Sequence, residues 1–320
     1  MTNEVTFQMI EEARERLEDV VRKTPIITAK KISENVFFKA ENLQRTGSFK
    51  LRGAYNKICS LTDEELTKGV IACSAGNHAQ GVALAATKRG AKAIICMPES
   101  APKAKIEATQ GYGGEVVTVS GNYDDAAKEA VKLRDENGYV FVHPFDDPYV
   151  IAGQGTIGCE IIEQMPDVEQ IIVPIGGGGL ISGLALAVKT LKPDCKVIGV
   201  QSASVASMYG SLKVNHIITI PDASTVADGL HVLTPGELTF NMVKKYVDDI
   251  VTVEEDEIYV AIAKLMDGPK IVAEGAGATA MAAFLFNKVD TNRKTVCLVS
   301  GGNLDLVVLK KALDKVLVSE

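Results

Sequence analysis

Short apolar runs alternate with amphipathic stretches along the chain, a pattern that predicts strands interleaved with helices. The first amphipathic stretch predicts a helix over residues 7–21, with Thr6 as its N-cap and Thr24-Pro25 as its end. Val36-Phe37-Phe38-Lys39-Ala40 reads as a short strand, and residues 49–61 read as a helix. A compact set of units follows. Strands are predicted at 70–73, 93–97, 115–119 and 139–142, with helices over 79–89, 102–110 and 123–137 between them. After Pro144-Phe145-Asp146-Asp147-Pro148 the pattern restarts with a helix over 150–164, a buried strand over 170–175, a helix over 180–189 and a strand over 197–200. Residues 202–235 read as irregular. Helices over 237–246, 254–266 and 276–287 then lead to a strand at 295–299.

This order predicts an α/β protein with largely parallel sheets and one small doubly wound block in its first half. Open sheets of this kind bind ligands beyond the carboxyl ends of their strands. Three loops are placed to meet there: Ser74-Ala75-Gly76-Asn77-His78, Gly176-Gly177-Gly178-Gly179 and Ser300-Gly301-Gly302-Asn303.

The tetraglycine carries the most chemistry. A strand, a glycine turn and a helix N-terminus form an anion socket, because several backbone N–H groups converge on one ligand. Without Cβ atoms the backbone approaches that ligand closely. Phosphate is the expected anion. The chain of 320 residues carries a net charge of −7 and no long basic run, so phosphate capture must be local and nucleic acid is not an expected partner. No Gly-x-x-x-x-Gly-Lys-Ser/Thr occurs. A Gly-x-Gly-x-x-Ala match at Gly275 to Ala280 lacks a β-α-β setting and reads better as a helix start rich in small residues.

Lys50 is the second unusual feature. It follows Gly47-Ser48-Phe49 at the start of a predicted helix, where a cation meets the positive end of the dipole. That position lowers its proton affinity and suits an amine that works as nucleophile or base, although a surface lysine is the alternative for this segment alone. Six scattered cysteines (59, 73, 96, 159, 195 and 297) form no Cys-x-x-Cys pair. They read as reduced structural thiols, hence a reducing compartment. No signal peptide or membrane span is expected, which points to a cytoplasmic location.

Read as one segment, Glu41-Asn42-Leu43-Gln44-Arg45-Thr46-Gly47-Ser48-Phe49-Lys50-Leu51-Arg52-Gly53-Ala54 resembles the lysine segment of fold-type-II pyridoxal-phosphate enzymes. That family includes threonine dehydratases, serine racemases and tryptophan synthase β-chains. Ser74-Ala75-Gly76-Asn77-His78-Ala79-Gln80-Gly81, the tetraglycine and Ser300-Gly301-Gly302-Asn303 follow in the family's order, so the resemblance covers nearly the whole chain. It implies a two-domain fold of open twisted sheets, similar to the tryptophan synthase β-chain. Residues 1–60 and 147–320 would form a discontinuous cofactor-binding domain, residues 61–146 a small mobile domain, and no C-terminal regulatory domain is expected.

The resemblance also implies roles. Lys50 would hold pyridoxal 5′-phosphate covalently, with Phe49 packed near the ring. Gly176, Gly177, Gly178, Gly179 and the Leu180 amide would bind the phosphate. Asn77 would bond the ring hydroxyl, and Ser300 would face the pyridine nitrogen. Ser74, Ala75, Gly76, Asn77 and His78 would hold the substrate carboxylate, His78 being equally open to a structural role. The implied reaction is dehydration and deamination of L-threonine to 2-oxobutanoate and ammonia, with L-serine giving pyruvate more slowly. Serine racemase and 3-hydroxyaspartate dehydratase are the enzymatic alternatives, and a nucleotide- or amino-acid-binding protein is the non-enzymatic one. Serine racemases have a serine where Ala75 stands, which favours the dehydratase. Some of them bind a divalent ion through acids after the strand ending here at Val200. Gln201 to Ser207 holds no carboxylate, so no divalent site is expected there, and a monovalent ion on carbonyls stays open. A homodimer or homotetramer is implied, and AMP, an activator of some catabolic relatives, is a candidate effector.

Overall fold

A computed structural model describes residues 4–317. Among the described residues, ten strands form two sheets. Strands β1 (Ile26–Thr28) and β2 (Val36–Ala40) precede the small sheet, which is built from β3 (Val70–Cys73), β4 (Ala93–Pro98), β5 (Glu115–Val119) and β6 (Val140–Phe141). The chain then returns to the large sheet with β7 (Gln170–Pro174), β8 (Lys196–Ser202), β9 (Asp249–Val253) and β10 (Thr295–Val299). The large sheet runs β1-β2-β10-β7-β8-β9 and the small one β5-β4-β3-β6. All neighbouring pairs are parallel except β1 with β2. Parallel strands with helices on both faces are buried on both sides, and β3, β7 and β10 are buried along their whole length.

The predicted order of elements holds wherever periodicity was strong. The strands at 115–119 and 295–299 and the helices at 123–137 and 237–246 have the expected bounds. Thr6 caps the first helix by accepting from the Met9 N–H at 3.3 Å, but that helix, Phe7–Leu17, ends before residue 21. Asp19 there takes a φ of 64°, which the helix cannot continue through. Within 202–235, expected to be irregular, lies the helix Ser207–Val214. Two short strands, β1 and β9, and the helices Asp63–Lys68 and Leu306–Leu317 add to the predicted set.

One helix joins the two layers. Lys50–Cys59 buries Leu51, Ala54, Tyr55 and Ile58 in the core of the small sheet, against Val70, Ala79, Val82 and Ile95. Its Arg52 turns the other way, toward the large sheet. There it donates from Nε to Glu41 Oε2 at 2.9 Å and from Nη1 to Glu160 Oε1 at 2.6 Å. Lys39 Nζ completes the cluster by donating to Glu160 Oε2 and, at 2.7 Å, to the Thr24 carbonyl. Arg52, Lys39 and Glu41 are fully buried. Burial alone would raise the Glu41 pKa, but Arg52, with help from Lys39 and Thr24, outweighs it and holds the carboxyl below its ordinary value. The first turn of this helix is therefore pinned from both sides, and Lys50 sits on that turn.

Candidate active site

Each of the three loops follows a parallel strand. Ser74 to His78 follows β3, Gly176 to Gly179 follows β7, and Ser300 to Asn303 follows β10. The last turn is fastened to the lysine segment. Ser48 and Gly301 form an antiparallel bridge, the Phe49 N–H donates to the Ser300 carbonyl at 3.1 Å, and the Gly302 N–H donates to the Gly47 carbonyl at 2.8 Å. Gly47 has a φ of 73°, and a Cβ there would lie 2.4 Å from Asn303 Oδ1, so both the turn and its closure require glycine. Ser300 is buried beside this junction.

Lys50 is the first residue of its helix, as its sequence setting predicts. Its Nζ donates to the Pro144 carbonyl at 2.8 Å and lies 5.3 Å from the centre of the Phe49 ring. Burial of the ammonium end pulls the pKa down to about 8, and the charge of Glu274 partly opposes the shift. An amine that loses its proton this readily is available as a base or nucleophile near neutral pH.

The helix Asn77–Lys88 begins inside the first loop. Ser74 Oγ accepts from the Gly76 N–H at 3.2 Å, and Ala75 is partly exposed. Asn77 Nδ2 donates to Glu274 Oε1 at 2.6 Å, while Asn77 Oδ1 accepts from Asn303 Nδ2 at 2.7 Å. His78 points elsewhere. Its Nε2 lies 2.8 Å from the Val142 carbonyl, and burial followed by the charge of Lys50 lowers its pKa to about 3. The ring is thus neutral and is held by the backbone just past β6, while the His78 main chain remains in the loop.

The tetraglycine is a cradle that side chains would fill. A Cβ on Gly177 would lie 2.4 Å from the Phe145 ring, and one on Gly179 would lie 2.7 Å from the Phe145 carbonyl oxygen. Gly178 has a φ of 97°. The Gly177 carbonyl accepts from Thr239 Oγ1 at 2.6 Å, which fixes the turn from outside. The helix Gly179–Leu191 starts here, and the Ser182 N–H is bonded to the Gly178 carbonyl at 3.0 Å. The amides of Gly179, Leu180 and Ile181 precede the first carbonyl a helix can offer, so they are left for a ligand or water. A phosphate fits this donor set and the bare backbone around it.

The segment after β6 links cradle and lysine, where the sequence pattern marks only a boundary. Pro144 carries the carbonyl that Lys50 meets, and Phe145 packs on the glycines. His143 Nδ1 accepts from the Asp146 N–H at 2.8 Å, and the His143 and Phe145 rings meet edge to face at 4.7 Å. Glu274 was also missed. It stands alone before the small-residue stretch Gly275 to Ala280 and shows no periodic or motif signal. That stretch proves to be the helix Gly275–Leu285, as expected. A Cβ on Gly277 would lie 2.2 Å from the Gly301 carbonyl, so its glycine serves contact with the Ser300 turn.

The chain is also similar to known proteins over nearly its whole length. Residues 17–302 match the family described as "Pyridoxal-phosphate dependent enzyme". The chain is 50% identical over 319 residues to the L-threonine ammonia-lyase of Thermotoga maritima, covering 98% of this chain and 79% of that protein. Its fold superposes on the processed form of threonine deaminase isoform 2 from Solanum lycopersicum with a TM-score of 0.92, at 40% identity over 98% of this chain and 96% of the other. Maize serine racemase gives 0.91, at 37% identity over 98% of each chain. With a buried low-pKa amine, a glycine cradle for phosphate and a match across most of its length, the chain belongs to the family of pyridoxal-phosphate dependent enzymes.

Proposed function

We propose that this protein is an L-threonine ammonia-lyase that converts L-threonine to 2-oxobutanoate and ammonia, and L-serine to pyruvate as a secondary activity. The observation that carries the reading is the Lys50 amine, desolvated and bonded to the Pro144 carbonyl beside the Phe145 that packs on the glycine cradle, on a segment bridged to the Ser300 turn. Pyridoxal 5′-phosphate, when bound, supplies an aldehyde for amines and a conjugated ring that takes up the electron pair left at the substrate Cα.

The chain's own residues supply the rest. Lys50 carries the cofactor and then, as a free amine, takes the Cα proton. The amides of Gly176 to Leu180 grip the phosphate at the helix start. Phe49 would pack near the ring, and Asn77 would donate to the ring hydroxyl. Ser300 would face the pyridine nitrogen with a neutral hydroxyl, which cannot hold a proton there as a carboxylate would. Such a neutral partner would favour prompt loss of the β-hydroxyl over transamination. The loop from Ser74 to His78 holds the substrate carboxylate with backbone N–H groups. Ala75 offers only a methyl group, so no second acid is available there to reprotonate Cα, and this favours elimination over racemisation.

Residues 61–146 act as a small domain that closes over the site and excludes water from the reacting carbon. The helix carrying Lys50 lies at the seam. Among the described residues no helix is long and apolar enough to cross a membrane. Five of the six free cysteines are buried, which suits a reducing cytoplasm. A homodimer or homotetramer, with AMP as effector, completes the reading.

The deciding experiment incubates the purified holoenzyme with L-threonine, L-serine and D-serine and measures 2-oxo acid and racemate separately. Fastest 2-oxobutanoate release from L-threonine is expected. Efficient interconversion of L- and D-serine would instead make the protein a racemase. Borohydride reduction followed by peptide mapping should place the cofactor on Lys50.

A further inference from the structure

Glu274 is the residue before the helix Gly275–Leu285, yet its side chain makes no capping bond to that helix. It is 6% exposed and, among the described residues, makes no direct ion pair, although the charges of Lys50 and Lys105 act on it from farther away. Burial, followed by the nearby Asp228, raises its pKa to about 7. Packing makes room for it, since a Cβ on Gly301 would lie 2.3 Å from its Oε1. A buried carboxyl with no cap and no direct ion pair is costly unless its oxygens accept hydrogen bonds.

Its side-chain donor is Asn77, and the Asn303 backbone N–H is a second donor. Glu274 Oε1 accepts from Asn77 Nδ2 at 2.6 Å. On the other side, Asn303 Nδ2 donates to Asn77 Oδ1 at 2.7 Å and to the Thr46 carbonyl at 3.0 Å. The two contacts specify opposite ends of one amide. A flipped Asn77 would set its oxygen against the Glu274 oxygen and its NH2 against the Asn303 NH2. An amide nitrogen carries two hydrogens, and Glu274 takes one of them.

We propose that Glu274 is a positioning residue that locks the Asn77 amide so that its second Nδ2 hydrogen is presented to the ring hydroxyl of the cofactor. The inference rests on the role given to Asn77 under the proposed function. Glu274 would act through the Asn77 amide rather than on the reacting atoms. It works by removing the rotamers and the flip that would leave the ring oxygen facing an acceptor.

A double-mutant cycle tests this on the full chain, using Asn77→Ala, Glu274→Ala, Glu274→Gln and the double alanine variant. The readouts are the dissociation constant for pyridoxal 5′-phosphate and the visible absorption maximum of the bound cofactor. Glu274→Ala is expected to weaken cofactor binding by about tenfold and to shift the absorption band in the same direction as Asn77→Ala. Glu274→Gln, which keeps a carbonyl acceptor, should stay within about threefold. In the Asn77→Ala background, Glu274→Ala should cost no more than about twofold further. Persistence of the full loss in that background, or unchanged affinity and spectrum in Glu274→Ala, would overturn the inference. If Glu274→Ala does not fold, Glu274→Met, with similar bulk and no strong acceptor, takes its place in the cycle. Borohydride labelling of the parent enzyme separates the two levels. A labelled Lys50 with an additive cycle sinks only the role of Glu274, whereas an unlabelled Lys50 sinks the cofactor assignment beneath it.

Discussion

Arg52 Nη1 lies 2.6 Å from Glu160 Oε1, two residues along the chain from the amine of Lys50. The pair is buried and is shared with Glu41 and Lys39, so removing one member leaves another charge without compensation. Arg52→Met should therefore destabilise the protein by about 3–5 kcal/mol in urea unfolding. Arg52→Lys should lose much of that as well, because one ammonium cannot reproduce the forked contacts to both carboxylates. A loss below about 1 kcal/mol in either variant would show that the cluster does not anchor the helix.

The lowered pKa of Lys50 has a pH signature. A lysine whose folded pKa lies near 8 is mostly protonated below that pH and mostly free above it. The rate at which cofactor-free protein captures pyridoxal 5′-phosphate should rise with pH and level off above an inflection near 8. An ordinary lysine would place that inflection near 10.4 (approximately its model-peptide value). Stopped-flow absorbance across that range distinguishes the two, and Lys50→Ala should abolish the covalent phase.

Gly179→Ala would put a methyl group 2.7 Å from the Phe145 carbonyl oxygen, which is backbone and cannot swing aside. The start of the helix Gly179–Leu191 must shift, and its amides shift with it. Cofactor affinity, read by equilibrium dialysis, should fall by at least about tenfold. Gly111→Ala, where a Cβ meets nothing within 4 Å, should leave affinity unchanged. Equal behaviour of the two variants would remove the steric argument for the cradle.

Ala75→Ser supplies a hydroxyl where the parent has a methyl group. The ratio of racemisation to elimination with L-serine should rise, by roughly tenfold if the hydroxyl reaches Cα as a general acid. Chiral chromatography and a 2-oxo acid assay measure the two products. A ratio that does not move would show that position 75 does not separate the two activities.

The fold was legible wherever apolar periodicity was strong and turns were marked by glycine. The buried runs at 70–73, 170–174 and 295–299 announce strands because both faces of a parallel sheet are covered. β1 has only three residues and none of them is buried, so it carries no pattern to read. The helix Ser207–Val214 mixes small, polar and apolar residues and contributes only Ser207, Met208 and Ser211 to the interior. In the site, Lys50 and the glycines were readable because their chemistry conflicts with their setting. Glu274 and Phe145 were not. Each acts through a long-range contact, Glu274 with Asn77 and Phe145 with Gly177, and nothing local marks either end of such a pair.

The helix Lys50–Cys59 gives its apolar side to one sheet and its guanidinium to the other. Neither half of the molecule is therefore a self-sufficient folding module. Cutting the chain at residue 60 would strip Val82 and Ile95 of the Leu51 and Ile58 side chains they pack with. An exchange of the small layer between related enzymes would have to carry this helix along, and with it the reactive amine.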